Sequence, residues 1–307
     1  MEIYETVQRE NFLMRRNGII VIFLTTLVLL VSVYSYAHYY EPKTISITCN
    51  QIKNKNIPKG FQGVKIVQFS DTHLGPNFTH EQLMKLVDQI NRLKPDIVVF
   101  TGDLIDNFAE YGSQRKEAQP ILGQIHANLG KYAVFGNHDR GGGGSFLFKG
   151  FMEEAGFTVL VNQIDKITVA NGDQITIAGL DDFLLGKPKV RDTLHQLKPK
   201  DFNLLLVHEP DIVDEALEYP IDLQISGHSH GGQVQLPFGK PIISTSLGKK
   251  YMEGLYSLEG KNKNLQLYVN RGIGTTRAKV RFLCKPELSV FLLQQTDDGL
   301  KSKSICS

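Results

Sequence analysis

The sequence predicts an α/β domain built on two β-sheets with helices outside, preceded by one membrane-spanning helix. Three observations predict it. Residues 17–40 contain no Asp, Glu, Lys or Arg. From Phe61 to about Gly156, short apolar runs alternate with helical stripes, the rhythm of strand–helix–strand units. After Gly156 short strand patterns dominate.

The apolar heart of the first segment is Gly18–Ala37, GIIVIFLTTLVLLVSVYSYA. At about 1.5 Å per residue it spans about 30 Å, the hydrocarbon thickness of a bilayer. Tyr34, Tyr36, Tyr39 and Tyr40 gather at its far end, where an interfacial aromatic belt belongs. Arg15-Arg16 favour a cytoplasmic N-terminal tail (residues 1–17), which puts the remaining domain outside the cytoplasm. A cleaved signal peptide, with Ser35 and Ala37 as small cleavage-site residues, is the competing reading; the run is long for it. The expectation is therefore a single-pass protein of the cell membrane, with the bilayer as a partner. Residues 38–60 read as an extended linker, residues 61–296 as the domain and residues 297–307 as a tail.

Within the domain, residues 64–70 (VKIVQFS) form a strand. Thr79 caps a helix, with Gln82 at capping-box spacing. Leu83, Leu86, Val87, Ile90 and Leu93 are its buried stripe, and Pro95 ends it. Residues 96–101 and 131–136 are strands, flanking a helix marked by Ala118, Ile121, Leu122 and Ile125. Residues 158–162, 167–170 and 174–178 are strands, the last two joined by an Asn171-Gly172 turn. Residues 202–207 and 222–226 are strands around a helix at 211–217. Residues 234–236, 255–258, 265–269 and 288–293 complete the strand-rich end.

Composition narrows the function. Lys and Arg total 34 against 32 Asp and Glu, a net charge of +2. That balance lacks the basic footprint of a nucleic-acid binder, so no nucleic-acid partner is expected, and no protein partner is evident. Cys49, Cys284 and Cys306 are too few and scattered for a disulfide framework or a thiolate zinc cluster, and read as inert.

Position, not number, singles out the histidines. Asp71-Thr72-His73, Gly102-Asp103 and Gly136-Asn137-His138-Asp139 each follow an apolar strand. His208 and Gly227-His228-Ser229-His230 follow two later ones. Ligands collect at the carboxyl ends of strands in α/β sheets. Each fragment alone is weak; the ordered conjunction is not accidental. Asp71, His73, Asp103, Asn137, His208, His228 and His230 make seven nitrogen and oxygen ligands, too many for one tetrahedral zinc. Two divalent ions sharing a carboxylate use them all. The donor set suits Mn, Fe or Zn without choosing among them. Paired ions suit displacement at phosphorus.

These motifs resemble the calcineurin-like metallophosphoesterase superfamily over residues 61–295. Residues 226–237 (SGHSHGGQVQLP) and 270–292 (NRGIGTTRAKVRFLCKPELSVFL) are similar to its bacterial membrane-associated branch. The resemblance implies a four-layer αββα sandwich of two mixed sheets. It implies that Asp71, His73 and His230 hold one metal, Asn137, His208 and His228 a second, and that Asp103 bridges them. It also implies a metal-bridging hydroxide as nucleophile, His138 as proton donor to the leaving oxygen, and Asp139 as the group that orients His138 or stabilises its protonated form. Many family members carry Glu where Asp139 stands, so the shorter side chain leaves that last role in doubt.

Other residues bear on substrate. Arg140, before four glycines, and Arg271 are candidate phosphate contacts. Phe146–Phe151 reads as a greasy lip or as a helix burying its phenylalanines. Phe78, Phe108 and Tyr111 read as pocket walls or as packing.

The expected function is hydrolysis of a phosphodiester or pyrophosphate bond, on a lipid-linked substrate such as UDP-diacylglucosamine by analogy with that branch. A broad envelope phosphomonoesterase or phosphodiesterase is the alternative. A non-catalytic metal-binding scaffold is a further one, against which the complete ligand set speaks.

Overall fold

The computed structural model describes residues 2–237 and 240–296; the expected tail at 297–307 lies outside them. Helix α1 (Glu2–Ser35) continues through a π-helical turn, Tyr36–Tyr40, and a 3₁₀ turn, Glu41–Lys43. It is long and apolar enough to cross a membrane, and none of its apolar window is buried against the rest of the chain.

In chain order the strands are β1 (Ser46–Asn54), β2 (Lys65–Phe69), β3 (Ile97–Phe100), β4 (Gly130–Ala133), β5 (Thr158–Val159), β6 (Gln163–Thr168) and β7 (Gln174–Gly179). Then come β8 (Asn203–Leu206), β9 (Leu223–Ser226), β10 (Gln235–Leu236), β11 (Lys240–Pro241), β12 (Gly254–Leu258), β13 (Leu265–Val269) and β14 (Glu287–Gln295). Among the described residues they form two six-stranded mixed sheets, ordered β1-β14-β2-β3-β4-β5 and β12-β13-β9-β8-β7-β6. A small β10-β11 ribbon lies apart from both.

Alternation along the strands explains the layering. Val67, Phe69, Val98 and Phe100 face helices α2 (His80–Arg92) and α3 (Arg115–Gly123), meeting Leu83, Leu86 and Leu122. Their neighbours Ile66, Ile97 and Val99 face the other sheet and meet Leu204, Leu206 and Ile225. Leu205 and Leu267 face outward again, under Val213 and Ala216 of a short helix. Three apolar layers separate four layers of structure, so the fold is an αββα sandwich. Gln68 crosses the middle layer, its amide donating to Thr101 Oγ1 and to the Ser226 carbonyl, both at 2.9 Å.

The capping box on Thr79 forms as expected. Residues 46–54 differ from the linker reading: β1 pairs in parallel with β14 from Ser46↔Glu287 to Asn54↔Gln295. The hairpin strand before Gly172 begins at Gln163. Residues 211–217 fold as a 3₁₀ turn, Pro210–Ile212, followed by one turn of α-helix, Val213–Ala216. Cys284 is a buried free thiol, whereas Cys49 is disulfide-bonded and so not the inert thiol expected.

Candidate metal centre

The two sheets lie face to face with the carboxyl ends of β2, β3, β8 and β9 at one rim. The parallel pairs β2–β3, β3–β4 and β8–β9 align those ends. Each strand stops where a polar turn begins, and the turns are strained. Asp71, His73, Asp103, His228 and His230 all have positive φ, between 43° and 69°. Non-glycine residues rarely accept that region, and where they do the surroundings hold them there, often at functional sites. The adjoining glycines follow from crowding: a Cβ at Gly136 would lie 2.2 Å from Asp103 Oδ1, and one at Gly227 would lie 2.4 Å from Asp71 Oδ2.

Six of the seven expected ligands come together in two groups. Asp71, His73 and His230 form one close group and Asp103, His208 and His228 another. His73 Nε2 lies 3.0 Å from His230 Nε2, and His230 Nε2 lies 3.4 Å from Asp71 Oδ1. His228 Nδ1 lies 3.2 Å from His208 Nε2. Asp103 Oδ2 stands between the groups, 3.6 Å from His73 Nε2 and 3.2 Å from His208 Nε2. Its other oxygen accepts the His138 backbone N–H at 2.8 Å.

The donor chemistry fits cations. His208 Nδ1 faces the Thr101 carbonyl at 2.6 Å, and His228 Nε2 faces the Ser246 carbonyl at 2.7 Å. Those nitrogens must carry the protons, which leaves the lone pairs on the nitrogens that converge. Asn137 Oδ1 is buried without a hydrogen-bond partner, as an acceptor awaiting a cation would be.

Electrostatics agrees. Burial pushes Asp103 up, but His208, His138 and His73 outweigh it and hold its carboxyl well below the usual range. Burial pushes His208 down, yet the Asp103 charge draws a proton onto it and holds it well above normal. A divalent ion supplies the same countercharge, so its binding would displace that proton. Burial lowers His228 to about 4 and also depresses His230, beside His73 and Arg281, so both stay neutral ligands.

His138 sits at the edge of the cluster, its ring 4.6 Å from that of His73. Its Nδ1 bonds to the Asp106 carbonyl at 2.7 Å, leaving Nε2 as the free nitrogen. Burial lowers its pKa, but Asp103 and Asp106 prevail and raise it. Asp139, expected to orient His138, is instead fully buried with its carboxylate on three backbone amides: Asp103 at 2.7 Å, Leu104 at 2.9 Å and Gly136 at 2.9 Å. Burial and the Asp103 charge raise it to about 8, against those three bonds.

Two residues that sequence reasoning missed complete the site. The Asp106 carboxylate lies 3.2 Å from His73 Nδ1, off the hydrogen-bonding line, and 3.5 Å from His138 Nδ1. It stands three residues past Asp103, and that spacing was its only signal. Arg281 is fully buried and donates to the carbonyls of Arg271, Gly272, Gly274 and Cys284, with one nitrogen 3.5 Å from His230 Nδ1. It pins the 271–274 turn against Asp71.

The expected substrate residues are engaged elsewhere. Arg140 pairs with Asp181 (Nε to Oδ1, 2.7 Å) and covers the Phe135 ring at 3.7 Å. Arg271 Nε pairs with Glu287 at 3.0 Å. Phe78, Phe108 and Phe148 are core residues, while Phe146 is 96% exposed. Tyr111 bonds His80 at 3.0 Å and lines a cleft of about 520 Å³ beside Asp106.

A two-sheet sandwich with clustered His, Asp and Asn at its strand ends defines the class: metal-binding phosphoesterases of αββα form. Residues 64–232, over half of the chain, match the calcineurin-like phosphoesterase family, and the chain belongs to that family. It is 47% identical over 264 residues to the metallophosphoesterase YkuE of Bacillus subtilis, covering 86% of this chain and 91% of that one. It is 28% identical over 327 residues to the UDP-2,3-diacylglucosamine pyrophosphatase LpxG of Chlamydia trachomatis, covering 88% and 96%. A Danio rerio transmembrane protein with metallophosphoesterase domain is 30% identical over 265 residues, covering 83% of this chain and 58% of its own.

Proposed function

We propose that this chain is a membrane-anchored hydrolase that cleaves a phosphodiester or pyrophosphate bond using two divalent ions. The observation that carries the reading is the pair of ligand groups meeting at Asp103 Oδ2 with His138 beside them. Asp71, His73 and His230 would hold one ion, and Asn137, His208 and His228 the other. When bound, such ions activate water and neutralise phosphoryl oxygens. The chain's own residues supply the rest. Asp103 spaces the groups through its free oxygen. His138 donates a proton from Nε2 to the departing oxygen, its Nδ1–H held by the Asp106 carbonyl and its raised pKa keeping the acid form available.

The similarity to LpxG supports a lipid-linked pyrophosphate such as a nucleotide-linked acylated sugar as substrate. The apolar α1 and the transmembrane relative support a single-pass anchor. The Arg15-Arg16 pair before the span supports an extracytoplasmic domain. Purified full-length protein with Mn²⁺ and bis(p-nitrophenyl) phosphate tests the reading. Wild type should turn over, and Asp103→Asn should lose at least about 10²-fold together with bound metal. Inactive wild type across Mn²⁺, Fe²⁺ and Zn²⁺, on diesters, monoesters and nucleotide-linked lipids alike, would sink it.

A further inference from the structure

Two apolar hollows share a wall, and the inner one reaches His230. The outer one is a groove of about 570 Å³ whose one wall is the end of α1: Leu30, Val31, Val33, Tyr34 and Ala37. Its opposite wall is Val234, Val280 and Phe282. The inner one, about 90 Å³, is again walled by Val234 and Val280, and it reaches His230. Val234 and Val280 are thus a shared partition between the groove along the anchor and the pocket at a metal-ligand histidine.

The partition is firmly built. Val234 bridges Phe282; Gln235 N–H donates to the Phe282 carbonyl at 2.9 Å, and Phe282 N–H to the Gln233 carbonyl at 3.0 Å. The anchor is fixed to the same loop. Arg281 N–H donates to the Ala37 carbonyl at 3.0 Å, and Tyr36 meets the Phe282 ring edge-on at 6.3 Å. The groove therefore keeps its place relative to the metal ligands.

The neighbouring surface is apolar as well. Ile243, which lines the inner pocket, and Ile242, whose N–H donates to the Val234 carbonyl, are 55% and 59% exposed. Exposed apolar clusters of this kind mark membrane or ligand contacts. Tyr34, at the level where interfacial tyrosines sit, lines the groove three to four residues beyond Leu30 and Val31. Exposed Arg277 lines the inner pocket and can meet an anionic headgroup.

We propose that this groove receives an acyl chain of a membrane-resident phosphoester, which enters from the bilayer along α1 and leads its phosphate past Val234 and Val280 to the metal-ligand cluster. The proposal rests on α1 spanning the membrane. Hydrocarbon is the occupant because the groove's outer wall belongs to the helix that lies in hydrocarbon. The proposal also rests on the phosphoesterase reading and deepens it: the substrate's chain stays partly in the membrane while its phosphate is attacked.

The test places full-length protein in nanodiscs of phosphatidylcholine and phosphatidylglycerol. A phosphatidylcholine with a diazirine in its acyl chain is added as probe. After photolysis, labelled residues are mapped by mass spectrometry. Label on Val234 and residues 280–282, at a yield within about threefold of that on Leu30–Tyr34, is the expected result. Val280→Asp should then lose at least about tenfold of the loop label while keeping the helix label. Label confined to α1 in wild type overturns the proposal, whatever the variant does. Labelling needs no turnover. Loop label without hydrolysis of any phosphoester would therefore sink the enzymatic reading alone, and hydrolysis of soluble diesters without loop label would sink the groove alone. Protein that does not co-elute with the nanodiscs would sink the spanning reading and the groove with it.

Discussion

The Asp139 carboxylate accepts the backbone N–H of Asp103 at 2.7 Å while the Asp103 carboxylate accepts that of His138 at 2.8 Å. The two turns after β3 and β4 thus hold each other. Asp103 sits at φ 62°, a conformation it would not keep unaided. Asp139 positions the Asp103 backbone, and its charge also helps raise the pKa of His138.

Asp139→Asn should therefore damage metal binding before chemistry. The amide turns an NH₂ toward N–H donors, and at least one bond fails, costing about 1–3 kcal/mol. Displacing Asp103 should weaken metal affinity about 10–100-fold. Isothermal titration with Mn²⁺ measures it. Unchanged affinity alongside a lower Tm would reduce Asp139 to a packing role.

His138→Ala should depend on the leaving group. An alkoxide needs a proton as it departs, and general acid catalysis contributes about 10²–10⁴-fold. p-Nitrophenolate leaves without one. The variant should lose that factor on an alkyl phosphodiester and less than about tenfold on a p-nitrophenyl ester. Equal losses on both would mean that His138 binds the phosphate instead of protonating the leaving oxygen.

The strand-end cluster is legible because each part is local: an apolar run, then a turn rich in His, Asp or Asn. What stayed hidden is long-range or acts through the backbone. β1 carries mixed burial along its length and finds β14 at the other end of the chain. Its polar SITCNQIKN has no period to announce a sheet edge. Asp106 and Arg281 work through carbonyls and ring nitrogens that only the folded turns bring near. Arg140 and Arg271 looked free because Asp181 and Glu287, their partners, lie on distant elements.

Alkaline stability should reveal the Tyr268–Glu287 contact. Tyr268 is buried and donates its hydroxyl to Glu287 Oε1. Burial and then that carboxylate raise its pKa from 10.0 to about 12. The folded state binds the proton more tightly than the unfolded chain does. The stabilisation is therefore complete below pH ~10 and is lost as pH rises toward ~12, up to about 3 kcal/mol. Tyr132, likewise raised to about 12, adds a similar fall. Tyr268→Phe should flatten roughly half of this dependence in denaturant titrations at pH 9 to 11.5. Glu287 keeps Thr48 Oγ1 at 2.6 Å, so the cost at pH 7 should stay near 1 kcal/mol. An unaltered alkaline slope would show that the Tyr268 proton is not held by the fold.

Glu41 links the anchor to the site. It follows the π-helical turn, is fully buried, and its carboxylate accepts the backbone N–H groups of Leu283, at 3.0 Å, and Cys284. Cys284 Sγ in turn donates to the His230 carbonyl at 3.3 Å. The chain beyond α1 is thereby tied, through Cys284 alone, to the backbone of His230 in the candidate site. Glu41→Ala strands the buried Cys284 N–H, at about 1–3 kcal/mol, and frees the part-buried Leu283 N–H. The loss should lower Tm by roughly 2–4 °C per kcal/mol, as for a domain of this size. It should also free the joint between α1 and β1, so limited proteolysis in nanodiscs should cut between Tyr36 and Ile45 at least tenfold faster than in wild type. Glu41→Gln, which keeps one acceptor oxygen, should fall between the two. Cleavage at the wild-type rate in Glu41→Ala would mean that Arg281, donating to the Ala37 carbonyl at 3.0 Å, holds the joint alone.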